Sequence, residues 1–218
     1  MRTPLSRRSF LVALTSLLLG ASATVAYANH SWGGYHWART SSAFTLRIGD
    51  NVSSVWDPIL STTAKDWSVS SVLDTTIVPG QTKAVKNCQP TNGRVEVCSA
   101  AYGKTGWLGI AQIWANGLHI TQGTVKLNDT YFNTPAYNTT AWRNLVSCQE
   151  VGHTFGLDHQ DENFDNAPLG TCMDYTSDPT ANQHPNAHDY EELDSIYAHM
   201  DSFATISQSS AKLAPQFA

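Results

Sequence analysis

Hydrophobic and polar positions first alternate at Phe44-Thr45-Leu46-Arg47-Ile48, the period of two expected of a half-buried strand. Asp50-Asn51 then supply a cap for a helix over about 53–67. Its apolar positions Val55, Ile59 and Leu60 suit one face, and Pro58 fits only near the first turn. The β-branched run 72–78 predicts a second strand. Segments 94–98, 108–114 and 119–127 predict three more, each bounded by Gly or Asn turn signals. Residues 129–138 read as loop, followed by a helix over about 140–155 and another over about 187–200. Strand, helix, four strands, helix, long loop, helix is an α+β order, with helices laid on a mixed five-stranded sheet. The loop over about 156–186 has no strong period, and a structureless stretch of that length within one domain is usually functional.

The first 28 residues are of another kind. Arg2, Arg7 and Arg8 precede an apolar stretch over 10–20, and Ala26-Tyr27-Ala28 gives the small-x-small pattern of a signal peptidase site. Ser6-Arg7-Arg8-Ser9-Phe10-Leu11 also resembles a twin-arginine export signal. The stretch is too short to span a membrane and nothing later is long enough, so the expectation is a secreted protein with no stable membrane anchor after cleavage. Residues 29–42, rich in Trp, Gly, His and Ser, read as an N-terminal arm, and 43–218 as the domain. With 218 residues, 41% hydrophobic and seven Trp, the chain can fill one core and is short for two. Losing residues 1–28 removes three Arg and no acid, moving the net charge from −5 to −8. That disfavours nucleic acid or anionic lipid as the main partner.

Four Cys in an exported chain suggest two disulfides, for which three connectivities exist. The turn signal Thr91-Asn92-Gly93 favours Cys88–Cys98, which leaves Cys148–Cys172. The absence of any C-x-x-C spacing argues against a Cys metal site.

The helix over 140–155 ends in Gln149-Glu150-Val151-Gly152-His153, continued by Thr154-Phe155-Gly156-Leu157-Asp158-His159. Positions 149 and 153 leave one helical face and can reach one ion, and Glu150 projects beside it. Gly156 permits the left-handed backbone that ends the helix and lets His159 return to the same point. Two histidines, a carboxylate and a glycine at these offsets arise by chance in about one chain in a few thousand at average residue usage. Written Q-E-x-x-H-x-x-G-x-x-H, the segment resembles the H-E-x-x-H-x-x-G-x-x-H signature of metzincin zinc peptidases, differing only at its first position. Cys172-Met173-Asp174-Tyr175 resembles the metzincin Met-turn, which passes beneath the metal with a methionine as its floor. The C-terminal helix around Asp189-Tyr190-Glu191-Glu192-Leu193 resembles that of matrixins.

The resemblance covers roughly residues 43–200. It implies a metzincin-like domain with an active-site helix, a Met-turn and a C-terminal helix. It also implies Zn2+ as cofactor and hydrolysis of peptide or protein substrates, with Gln149, His153 and His159 in the ligand positions. Glu150 takes the place of the general base, and Tyr175 of a group near the zinc that stabilises the oxyanion. A Cys148–Cys172 bond would staple the metal helix to the turn beneath it.

Gln149 departs from the signature where a ligand is expected, and a neutral amide oxygen is a poorer zinc donor than imidazole. Three readings follow: Gln149 ligates weakly beside the two histidines; Tyr175, His184 or His188 contributes instead; or the metal is lost and the chain is an inactive binding protein on the same scaffold. The acidic run Asp158, Asp161, Glu162, Asn163, Asp165 and Asn166 offers hard donors suited to calcium, but has no EF-hand spacing and reads more simply as a solvated loop. His119, in a strand, is a candidate for substrate contact, with a structural role the simpler reading. His30, His36 and His199 carry no recognisable spacing.

Overall fold

The N-terminal arm contributes a strand that its irregular pattern does not predict: β1, His36–Trp37. The computed structural model describes residues 29–81 and 85–206; the export signal read over 1–28 and the end of the domain, 207–218, lie outside them. The alternating segment forms β2, Phe44–Asn51, with Leu46 and Ile48 fully buried. Helix α1, Asp57–Trp67, starts later than the capping pattern suggests, with Pro58 in its first turn. Val55 therefore precedes the helix and is 52% exposed, instead of lying on its apolar face.

Strands β3, Leu73–Pro79, β4, Arg94–Ala100, β5, Gly109–Asn116, and β6, His119–Asn128, follow. Where loop is expected, Asn128 caps a short helix α2, Asp129–Phe132, its side chain accepting from the Thr130 N–H. Helix α3, Thr140–His153, is capped by Thr139. Helix α4, Ala187–Ile196, opens with a capping box between Asn186 and Asp189 and stops short of Met200.

The sheet has six strands, because β1 joins the five expected ones. Its order is β1-β6-β4-β2-β3, all parallel, and β5 pairs antiparallel with the other side of β6 to make the sheet mixed. β5 is thus an edge strand. Helices α1 and α3 pack together on the sheet, joined by a Thr63–Ser147 hydroxyl contact of 2.7 Å and by the Trp67 indole N–H donating to the Cys148 carbonyl at 3.1 Å. Trp67, Val97, Val125, Val151, Phe155 and Leu193 are buried in the common core. Two disulfides form, Cys88–Cys98 and Cys148–Cys172, the second within the core. No helix among the described residues is long and apolar enough to cross a membrane.

After α3 the chain reverses at Gly156, whose φ is +98° and where a Cβ would collide with the Tyr35 carbonyl oxygen. The reversal lets the arm dock: the Trp32 N–H donates to the Gly156 carbonyl at 2.7 Å and the Asp158 N–H to the His30 carbonyl at 2.5 Å. Both the left-handed backbone and the contact exclude a side chain. Gly156→Ala is expected to cost about 2 kcal/mol or more, seen as a lower urea midpoint; an unchanged midpoint would show that the arm does not depend on this turn.

Candidate functional site

Gln149 and His153 leave α3 one turn apart and face a cavity of about 330 Å³, closed by Gly109–Ala111 of β5 and by Trp32, His159 and Tyr175. The structure thus brings Gln149, Glu150, His153, His159 and Tyr175 to one cleft. The His153 and His159 Nε2 atoms stand 3.0 Å apart, with the rings nearly perpendicular.

The other ring nitrogens fix the tautomers. His153 Nδ1 lies 2.8 Å from the Leu157 carbonyl, which can only accept, so this nitrogen carries the proton. His159 Nδ1 faces Glu162 Oε1 at 3.3 Å and Asp158 Oδ1 at 3.5 Å and is likewise a donor. Burial, the neighbouring His159 and the nearby His30 push His153 down to about 4, against the pull of the Leu157 carbonyl and Asp158. Burial also lowers His159, opposed by Asp158 and Glu162. Both rings are therefore neutral near pH 7, with bare Nε2 lone pairs aimed at each other. Such an approach is repulsive unless a cation lies between them. Two nitrogens on one zinc, at bonds of about 2.0–2.1 Å and the tetrahedral angle, lie about 3.3 Å apart. These two imidazoles fit that ion, and their outer nitrogens are oriented as ligating histidines usually are.

Glu150 is buried beside them. Burial raises its carboxyl to about 8, against a backbone N–H from Ala111 that favours the ionised form. Its place exists because β5 carries a glycine there: a Cβ on Gly109 would lie 2.6 Å from Glu150 Cγ and 2.5 Å from Val146 Cγ1.

The turn carrying Met173 lies under α3. Cys172 is joined to Cys148, and the Gln149 Nε2 donates to the Cys172 carbonyl at 3.0 Å. A carbonyl demands a donor, so this contact sets the amide orientation and leaves Oε1 as the Gln149 acceptor. Met173 is fully buried. Its turn pairs with the chain after His159, the Gln160 N–H donating to the Met173 carbonyl at 2.7 Å and the Tyr175 N–H to the Asp161 carbonyl at 3.0 Å. Tyr175 is thereby set 4.3 Å from the His159 ring, centroid to centroid, and is backed by a stacked Phe164. Burial and the nearby Glu162, Glu150 and Asp158 raise the Tyr175 phenol, which keeps its proton.

Other candidates lie elsewhere. His184 pairs with Asp66 at 2.7 Å and His188 stands against the His30 ring, and neither lines the cleft. His119 sits beside Asp201, away from the cleft, instead of meeting substrate there. In the acidic run, Asp161 and Asn163 accept from N–H groups of their own loop, and Glu162 turns to His159. The sequence reading missed Glu162 and the Leu157 carbonyl as orienting groups, and Trp32 and Gly109 as walls. Of these, only Glu162, three residues after His159, left a spacing that a reader could have used.

No family model matches the chain, and no curated protein does. Among solved structures it is similar to high choriolytic enzyme 1, a hatching-enzyme zinc-protease from the medaka fish Oryzias latipes. The identity is 11% and the TM-score 0.40, covering 75% of this chain and 94% of that one. It is also similar to myroilysin, at 11% identity and a TM-score of 0.40, covering 81% of this chain and 97% of that one.

Gly152 lies where α3 meets both Trp67 and the turn: a Cβ would stand 2.6 Å from Trp67 Cζ2 and 2.8 Å from Met173 Sδ. Alanine in a helix is favoured over glycine by about 1 kcal/mol, but overpacking a filled core costs about 1–3 kcal/mol. The rigid indole makes the second effect larger, so Gly152→Ala is expected to be net destabilising in chemical denaturation. A stabilised variant would mean that the turn is free to shift away from the helix.

Proposed function

We propose that the chain is an exported zinc-dependent peptidase of the metzincin type, hydrolysing peptide bonds of peptide or protein substrates. The observation that supports this most is the meeting of two unprotonated imidazole nitrogens, 3.0 Å apart, beside a buried carboxyl group. His153 and His159 would hold the ion, with the Gln149 amide oxygen as a weaker third donor. Zinc, when bound, supplies polarisation of a carbonyl and acidification of water.

The remaining chemistry belongs to the side chains. In its ionised form, which a cation held by the two histidines would favour, Glu150 takes a proton from the attacking water and returns it to the leaving amine. The Tyr175 hydroxyl, held protonated at the cleft wall, donates to the oxygen that gains charge as the carbonyl carbon becomes tetrahedral. β5 lies along the cleft with one edge unpaired among the described residues, and its main chain suits an extended peptide. An adjoining pocket of about 260 Å³, walled by Trp107, Leu108, Trp142, Leu145 and Val146, suits an apolar side chain next to the scissile bond. Two disulfides agree with the oxidising compartment that an export signal implies.

Two measurements test this reading. Glu150→Ala should abolish cleavage of a peptide library while leaving zinc content nearly intact; unchanged turnover would refute the role of Glu150. Gln149→His replaces the amide with imidazole and should tighten zinc binding in the cleft by about tenfold or more, measured by competition with a chelating dye. A folded protein that takes up no zinc in the cleft, and in which neither substitution changes any activity, would instead be a binding protein on this scaffold.

A further inference from the structure

A second cluster of metal-ligating groups lies apart from the cleft, where the N-terminal arm meets the segment after α4. His36 comes from β1, His119 from the start of β6, and His199 and Asp201 from the chain beyond the last helix. The donor atoms of His36, His119 and Asp201 all lie within 4.8 Å of one another, and the exposed His199 borders them. His119 Nε2 is 3.1 Å from Asp201 Oδ1, His36 Nε2 is 3.7 Å from it and His199 Nε2 is 3.8 Å from it, while the His36 and His199 Nε2 atoms are 3.2 Å apart. Donors around one zinc at about 2.0–2.1 Å lie about 3.3 Å apart in pairs, and the His119–Asp201, His36–Asp201 and His36–His199 separations are close to that.

The outer contacts hold the donors in this direction. His36 Nδ1 lies 2.9 Å from the Gly34 carbonyl and must donate to it, so in the neutral ring Nε2 is bare. That bare nitrogen faces a carboxylate oxygen, two lone-pair-bearing atoms that attract only through a cation or a proton. Asp201 is fixed from its other side, Oδ2 accepting the Arg39 N–H at 3.0 Å, which leaves Oδ1 for the histidines. The Arg39 guanidinium is turned away, towards the Ser41 and Tyr197 carbonyls, so it does not neutralise the cluster. Phe203 and Tyr197 pack edge-on to the His119 and His36 rings.

We propose that His36, His119, His199 and Asp201 form a second, structural zinc site. His36, His119 and Asp201 supply three donors and the exposed His199 ring turns in as the fourth, so that protein donors close the coordination sphere, as in sites that stabilise a fold. The site joins three chain segments distant in sequence, beside two backbone contacts, Asp201 N–H to the Arg39 carbonyl and Thr205 N–H to the Ala38 carbonyl. It is separate from the cleft. His119 precedes Val125, the β6 partner of the cleft residue Ala111, by a run of strand about 20 Å long at about 3.3 Å per residue. The arm spans both places, since Trp32 borders the cleft and His36 stands in the cluster.

The test is zinc stoichiometry in the purified, untagged protein. His153→Ala with His159→Ala removes the histidines of the cleft and should leave about one zinc per chain, with thermal unfolding still shifted upward by added zinc. Adding His119→Ala and His199→Ala should remove both the bound zinc and the upward shift. His199 is 54% exposed, so His199→Ala alone should leave the fold intact and lower the zinc affinity of this site by about tenfold or more. A folded cleft variant that holds no zinc after dialysis against it would overturn the proposal and reduce the cluster to a hydrogen-bonded knot. Retention of zinc by the fourfold variant would overturn it equally. Neither result depends on whether the cleft itself binds metal or cleaves peptides.

Discussion

Helix α3 is pressed between β5 on one side and the turn carrying Met173 on the other, so closely that a single methyl group fits at neither contact. Gly109 gives the Glu150 side chain its space under the edge strand, and Gly152 lets Trp67 and Met173 close on the helix from below. This packing sets where Gln149, Glu150 and His153 point. The Cys148–Cys172 bond and the Gln149 amide donating to Cys172 tie the same turn to the same helix, so the floor of the cleft is fastened to its wall. An acid–base group needs this kind of support, because small displacements of a reacting group cost large factors in rate.

The second half of the cleft is built by chain reversal. Gly156 turns the backbone, the arm pairs with the chain just past it, and the segment after His159 pairs with the Met173 turn. His159 and Tyr175 therefore come into ring contact from stretches sixteen positions apart, without any helix or strand to carry them. Backbone pairing within the long loop does here what regular structure does elsewhere, which is why a segment with no periodic pattern still holds fixed geometry. The same arm continues to His36, so the N-terminal segment is part of both the cleft wall and the histidine–aspartate cluster at the other end of β6.

Several features of the sequence were readable because they are local. The alternation of 44–48, the cap before α3, the Gln149–His153 spacing of one helical turn and the left-handed glycine at 156 all express rules that act over a few residues. The strands and helices that the pattern placed accordingly appear there, with no end shifted by more than four residues. Val55 and the segment before α1 departed because the Trp56 indole is drawn to Asp129, a contact seventy-three positions away. β1 was invisible because two residues have no period, and it is a strand only through its pairing with β6.

The sequence by itself determined that an imidazole, a carboxylate and an amide would share one helical face, followed by a turn and a second imidazole, since the helix repeat and the glycine conformation dictate that much. Tertiary structure alone decided what those groups meet. The tautomers of His153 and His159 depend on Leu157 and Glu162, the direction of the Gln149 amide on Cys172, and the burial of Glu150 on a glycine in a neighbouring strand. His36, His119, His199 and Asp201 converge across more than one hundred and sixty positions. No periodicity can encode such a meeting, because it arises only when the sheet brings the two ends of the domain together.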